Sequence, residues 1–202
     1  MKISILGAGN IGAGLGEKWA ATGHDIIFGL REPGKSKYQK LKSDKIRLQT
    51  LQDSANASEI VVLAIPFPTV KENLQKLSGL KEKLIIDCTN ALSGLPKDFP
   101  SAAEAIAAWS GSSKVVKAFN STGSANLRNP RYGDMKIDTY ICGDDSGAKG
   151  TVKKLAEEVG FSVVDAGDLS QAVLLEAMAK LWINLAYDQK MGPDVAFKLM
   201  HR

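Results

Sequence analysis

A doubly wound α/β fold with a mainly parallel sheet follows from three observations. Apolar runs of strand length alternate with helix-patterned segments along most of the chain. Several runs are apolar on consecutive positions, as in Ile60-Val61-Val62-Leu63-Ala64-Ile65, which suits strands covered on both faces. The first run, residues 2–6, leads directly into a glycine-rich turn and then a helical pattern.

Strands are expected over residues 2–6, 26–29, 46–51, 60–65, 83–88, 114–119, 137–142 and 162–165, all rich in Ile, Val and Leu. Helices are expected between them at 11–22, 35–42, 53–57, 69–77, 101–109 and 146–159. From Ser170 the pattern is helical again. Val173, Ala177, Leu181 and Leu185 recur at i, i+4, with Leu174, Met178 and Trp182 beside them. A stripe this wide must pack on the sheet or on a second subunit. Gly192-Pro193 breaks it, and a short helix through 194–201 is expected to close the chain. Residues 1–167 thus read as a nucleotide-binding sheet domain, and 168–202 as a small C-terminal helical cap of the same compact unit. No repeat, low-complexity tract or linker divides the chain.

Composition bounds the function. The 202 residues are one domain's length and can bury a substantial core unaided. With 44% apolar and 24% charged residues, disorder and fibrous folds are excluded as whole-chain descriptions. The net charge of +4 favours phosphate-bearing ligands and is too small to argue for nucleic acid. Cys88 and Cys142 read as small apolar fillers of a reduced protein, not as a disulfide framework. The start of the chain runs straight into glycines, leaving no room for a signal peptide. The longest uncharged apolar stretch, 60–70, contains two prolines and falls short of the roughly 20 residues a membrane helix needs. A cytoplasmic protein without a membrane partner is expected.

Gly7-Ala8-Gly9-Asn10-Ile11-Gly12 is G-x-G-x-x-G, set between a strand and a helix, the context that makes this pattern a Rossmann dinucleotide fingerprint. Gly7 permits the tight turn, Gly9 lets a pyrophosphate approach the backbone, and Gly12 allows the helix to pack on the strand. The following helix offers unpaired N–H groups and its positive end to the phosphates. The choice between NAD and NADP falls at the end of the second strand. The position usually occupied by a ribose-binding acid is Leu30, followed by Arg31 and then Lys35 and Lys37. Arg31 offers a planar fork to a 2′-phosphate and Lys35 a point charge, which favours NADP(H). Glu32 is the contrary feature, because it could serve an unphosphorylated ribose.

Ligands of such sheets bind outside the carboxyl ends of the strands. Three loops there carry unusual residues. Ile65-Pro66-Phe67-Pro68 is a stiff apolar loop that could buttress a nicotinamide. Thr89 and Asn90 offer hydrogen bonds to a ribose or carboxamide. Asn120-Ser121-Thr122-Gly123-Ser124 places polar side chains after an apolar strand. His24 and His201 both lie away from this edge, and no metal-ligand spacing occurs. The acceptor must then need little acid–base help. A deazaflavin, flavin or quinone ring meets that requirement.

Beyond the glycine turn, Phe28-Gly29-Leu30-Arg31, Ala64-Ile65-Pro66-Phe67, Val115-Val116-Lys117-Ala118-Phe119-Asn120, Ile141-Cys142-Gly143-Asp144-Asp145, Asp165-Ala166-Gly167-Asp168-Leu169-Ser170 and Met191-Gly192 follow in order. With them the chain resembles the NADPH-dependent F420 reductase family, whose core also forms the cytosolic domain of the six-transmembrane ferric reductases. The resemblance implies an NADP-binding Rossmann domain with a helical cap, a homodimer, and hydride exchange with coenzyme F420 or a flavin. It places Gly9, Asn10 and Ile11 at the pyrophosphate, Arg31 and Lys35 at the 2′-phosphate, and Ile65, Pro66 and Phe67 around the nicotinamide. Leu30-Arg31-Glu32 departs from the Ser-Arg-Arg usual in archaeal members, and Asn120 stands where they carry His, as in the ferric-reductase branch. Asn120, Ser124 and Ser170 are the expected substrate-facing residues, with no proton-transfer residue assigned. The alternative reading is a non-catalytic NADPH sensor.

Overall fold

A computed structural model describes all 202 residues. Strands β1 (Lys2–Leu6), β2 (Asp25–Leu30) and β3 (Ile46–Thr50) alternate with helices α1 (Asn10–Ala21), α2 (Ser36–Gln39) and α3 (Leu51–Asn56). β4 (Ile60–Leu63), α4 (Val70–Gln75), β5 (Leu84–Asp87), α5 (Ala102–Ser110) and β6 (Val115–Lys117) follow. A short helix α6 (Ser124–Arg128) and a small hairpin, β7 (Arg131–Tyr132) with β8 (Met135–Lys136), precede β9 (Asp138–Gly143), α7 (Ser146–Val159) and β10 (Ser162–Asp165). α8 (Ala172–Ile183) and a π-helical turn at Asn184–Asp188 complete the ordered elements.

Eight strands form one sheet in the order β3-β2-β1-β4-β5-β6-β9-β10. β1 to β6 are mutually parallel. The chain moves outward from β1 to β3 and returns to lay β4 against the other side of β1, so the topological switch lies between the carboxyl ends of β1 and β4. β9 joins β6 antiparallel and β10 joins β9 in parallel, so both run against the other six.

Apolar residues on consecutive positions feed two separate cores. Ile3, Ile5, Val62 and Ile86 pack with Leu15, Trp19 and Val152 of α1 and α7 on one face. Leu6, Val61, Leu63 and Ile85 pack with Leu74, Ile106 and Leu175 of α4, α5 and α8 on the other. This is the two-sided burial that the run from Ile60 implied.

Two expectations need correction. The 35–42 helix is a single turn, with only Tyr38 and Leu41 of the segment packing on the core. Residues 194–201 are not helical. They form an irregular tail, with Phe197 O accepting from Asp138 N at 3.3 Å and Asp138 accepting from Lys198 Nζ and Leu199 N at 2.6 Å. α8 packs inward through Ala172, Leu175, Ala179 and Trp182, while Val173, Leu174 and Leu181 of the apolar stripe are not covered by the sheet and stay 44%, 56% and 49% exposed.

Candidate functional site

The fingerprint turn sits at the switch point, and its three glycines do different work. Gly7 adopts φ +103°, and a Cβ there would lie 2.5 Å from Ala64 O. A Cβ on Gly12 would lie 2.3 Å from Gly7 O, so α1 meets the turn backbone to backbone. Around Gly9, in contrast, nothing lies within 4 Å of where a Cβ would stand. The first backbone bond of α1 is Ala13 N to Gly9 O at 2.8 Å, which leaves the N–H groups of Asn10, Ile11 and Gly12 without a helical acceptor. Gly9 N-caps the helix with no side chain, and the first turn holds no acid. Free space, three donors and a positive helix end fit a pyrophosphate.

Beside the turn lies a cleft of about 430 Å³ that brings Gly7, Arg31, Lys35, Ile65 and Pro66 together, with Tyr38 offering a ring. Leu30, in the position of the usual acid, is 4% exposed and part of the core. A larger hollow of about 1120 Å³ lies at the opposite edge, among the starts of the strands around Lys2, Ile60 and Leu84. It contains none of the expected residues, so size does not mark the site here.

The loops after β5 and β6 are joined to each other. Asn120 Nδ2 donates to Asn90 Oδ1 at 2.9 Å, and Asn90 Nδ2 donates to Asn120 O at 3.1 Å. Asn120 Nδ2 also donates to Leu175 O of α8 at 2.9 Å. Asn90 is therefore largely engaged inside the protein. Two buried polar atoms in this corner, the Asn120 Oδ1 acceptor and the Thr89 hydroxyl, have no partner. Phe119 just before Asn120 takes φ +59°, a conformation that bulky side chains rarely adopt. It turns the chain out of the strand while its ring stays in the core against Trp19 and Phe161.

Beneath this corner is an ionic cluster that sequence reasoning missed. Lys117, fully buried at the end of β6, places Nζ 2.8 Å from Asp87 Oδ2, 3.0 Å from Glu176 Oε1 and 2.9 Å from Thr89 O. Glu176 Oε1 also accepts from Ala102 N at the start of α5, and Asp87 Oδ1 accepts from Thr89 N, both at 2.8 Å. Burial works against the Lys117 ammonium, but the two carboxylates outweigh it and hold its pKa above the ordinary value. A lysine and an aspartate ending two adjacent apolar strands were the available signal. The adjacent Cys88 thiol is pushed up by burial and then by Asp87, which keeps it protonated.

Two expected residues lie elsewhere. The Phe67 ring is 2% exposed and stacks on Trp109 at 5.8 Å in the α4–α5 layer, so Ile65 and Pro66 line the cleft without it. Ser170 sits at the amino-end edge of β1–β6, because β9 and β10 run downward there. Asp144 accepts from Leu169 N at 2.9 Å, and Gly143 N donates to Gly167 O. Asp145 caps α7 by accepting from Ala148 N at 2.7 Å. The Cys142-to-Asp145 and Asp165-to-Ser170 segments are thus joints of the fold, remote from the cleft. Ser124 opens α6 at the expected edge, where Trp182 packs on Gly123 and donates to Val195 O at 2.6 Å. Asn126 Nδ2 donates to the same oxygen at 2.9 Å, pinning the tail beside this edge.

Known proteins resemble this chain in sequence and in fold. Residues 2–91 match the family model described as NADP oxidoreductase coenzyme F420-dependent. The F420-dependent NADP reductase of Methanothermobacter marburgensis is 29% identical over 92% of this chain and 92% of its own length. The metalloreductase STEAP3 of Rattus norvegicus is 27% identical over 88% of this chain, which spans only 36% of that protein. A solved structure of a candidate F420-dependent NADP reductase from Arthrobacter sp. FB24 superposes with a TM-score of 0.83 over 100% of both chains at 24% identity, a likeness of fold. Residues 2–91 thus resemble the coenzyme F420-dependent NADP oxidoreductases, and the likeness to F420-dependent NADP reductases and to the metalloreductases continues through most of the remaining chain.

Proposed function

We propose that this chain moves hydride between NADP(H) and a flat acceptor ring of deazaflavin or flavin type. The observation that carries the reading is the pairing of a pyrophosphate cradle and two cations with an edge that holds no poised proton donor. Asn90 and Asn120 are bonded to each other, and Lys117 is saturated by Asp87, Glu176 and Thr89 O. NADPH, when bound, supplies the hydride. The chain's own part is to hold and orient. The helix end and Gly9 receive the pyrophosphate, Arg31 and Lys35 the 2′-phosphate, and Ile65 and Pro66 give the ring apolar support. The tail pinned at Val195 walls the acceptor side near Ser124. A ring that reacts by contact suits such a shallow edge.

Anaerobic stopped-flow mixing with F420, FMN, FAD and quinones offered separately tests the reading. NADPH should be oxidised rapidly by at least one of these rings and should persist when none is added. Tight NADPH binding with no transfer to any of them overturns it.

The exposed stripe of α8 gives a second expectation. Val173, Leu174 and Leu181 present apolar surface, and a second copy of the chain seated there would cover it. Leu174→Glu combined with Leu181→Glu should convert a dimer to a monomer in sedimentation velocity, with the fold retained. A wild-type chain that sediments as a monomer at all accessible concentrations refutes the dimer.

A further inference from the structure

The cleft that would receive the ribose carries a carboxylate among its cations. Glu32 Oε1 stands 2.7 Å from Lys35 Nζ, and both residues line the cleft with Arg31. A closed turn presents the pair: Lys35 N donates to Glu32 O at 3.2 Å, and Gln39 Nε2 donates to Pro33 O at 3.0 Å. The hydrogen bond and charge of Glu32 hold the Lys35 ammonium above its ordinary pKa. No ion pair engages Arg31, which is exposed. In the free protein one of the two expected phosphate ligands is therefore already neutralised.

A carboxylate at this place acts oppositely on the two forms of the ribose. Toward a 2′-hydroxyl it is an acceptor, the role acids play in NAD-binding folds. Toward a 2′-phosphate it is a like charge, and it competes for Lys35. A unit charge about 6 Å from a doubly charged phosphate weakens binding about tenfold even at the dielectric of water. Resting on the NADP(H) reading of this cleft, we propose that Glu32 is a specificity-determining residue that narrows the preference for NADPH and admits NADH as an alternative cofactor. With NADPH, Lys35 exchanges Glu32 for the phosphate, which leaves the Glu32 carboxylate unpaired beside it. With NADH, Lys35 stays on Glu32 Oε1 and leaves Oε2 to accept from the 2′-hydroxyl.

The test is direct binding, read from nicotinamide fluorescence, of NADPH and NADH to the wild type, Glu32→Gln and Arg31→Ala. Glu32→Gln should bind NADPH about five- to tenfold tighter, because the repelling charge is gone. It should bind NADH about threefold weaker, because an amide is the poorer acceptor for the hydroxyl. Its thermal midpoint should equal that of the wild type, since an exposed pair contributes little to folding. Arg31→Ala should weaken NADPH far more than NADH. If Arg31→Ala behaves so and Glu32→Gln keeps the wild-type ratio within about twofold, the assignment of Glu32 falls alone. If the wild type binds neither dinucleotide, or Arg31→Ala leaves the ratio unchanged, the NADP(H) reading falls and takes the assignment with it.

Discussion

Lys117→Met should lower the stability of the protein by about 3–5 kcal/mol, the cost of stripping one partner from a buried ionic cluster. The methionine fills similar volume, so the loss is electrostatic. Asp87 and Glu176 are left facing each other, with 0% and 7% of their side chains exposed and no cation between them. Protonating either one removes the excess charge, so the deficit in chemical denaturation should shrink as pH falls. The wild type behaves in the opposite sense at the other end of the scale. The Lys117 pKa is raised in the folded state, so its contribution is complete below the ordinary lysine pKa and is lost only as pH rises through the higher folded value. A Lys117→Met protein as stable as the wild type near neutral pH would show that the cluster is inert. Because Glu176 and Leu175 tie α8 to Lys117 and Asn120 at successive residues, the same variant should also loosen the corner that holds Asn90.

The element order and the cofactor end of the site were legible because both are local. Consecutive apolar residues require burial on both faces, and a strand–Gly-rich turn–helix fixes where backbone donors point, so β1, α1 and Gly7 to Gly12 are where the sequence places them. Strand direction is not local. The runs that became β9 and β10 carry the same apolar signature whether they run up or down the sheet, and their reversal sends Ser170 to the far edge. Side-chain aim at a turn is equally hidden. Pro66 fixes the turn, but only the nearby Trp109 and Phe99 rings decide that Phe67 points into the core. The apolar stripe of α8 likewise says that burial is needed and not which partner supplies it. Lys117 stayed concealed because a lone charge in an apolar run acquires meaning only when Asp87, thirty residues earlier, is placed beside it.

Gly9→Ser and Gly12→Ala should separate binding from folding within one turn. At Gly9 the backbone has φ −76° and ψ −173°, which any residue adopts, and open space surrounds the missing Cβ. Serine is also the better N-cap, so the helix should be stabilised by up to about 0.5 kcal/mol. The same side chain occupies the space a pyrophosphate needs and accepts from the N–H groups that would bind it. NADPH affinity should fall about a hundredfold in Gly9→Ser while the thermal midpoint holds or rises. At Gly12 the methyl would meet Gly7 O, a backbone atom that cannot swing aside. Gly12→Ala should therefore cost about 3 kcal/mol of stability, or about 6–12 °C in thermal midpoint for a chain of this length. Binding should fail there only as a consequence of the displaced helix. Equal NADPH affinity in Gly9→Ser and the wild type would remove the pyrophosphate from this turn, and with it the argument that the first helix of the chain is the anchor of its cofactor.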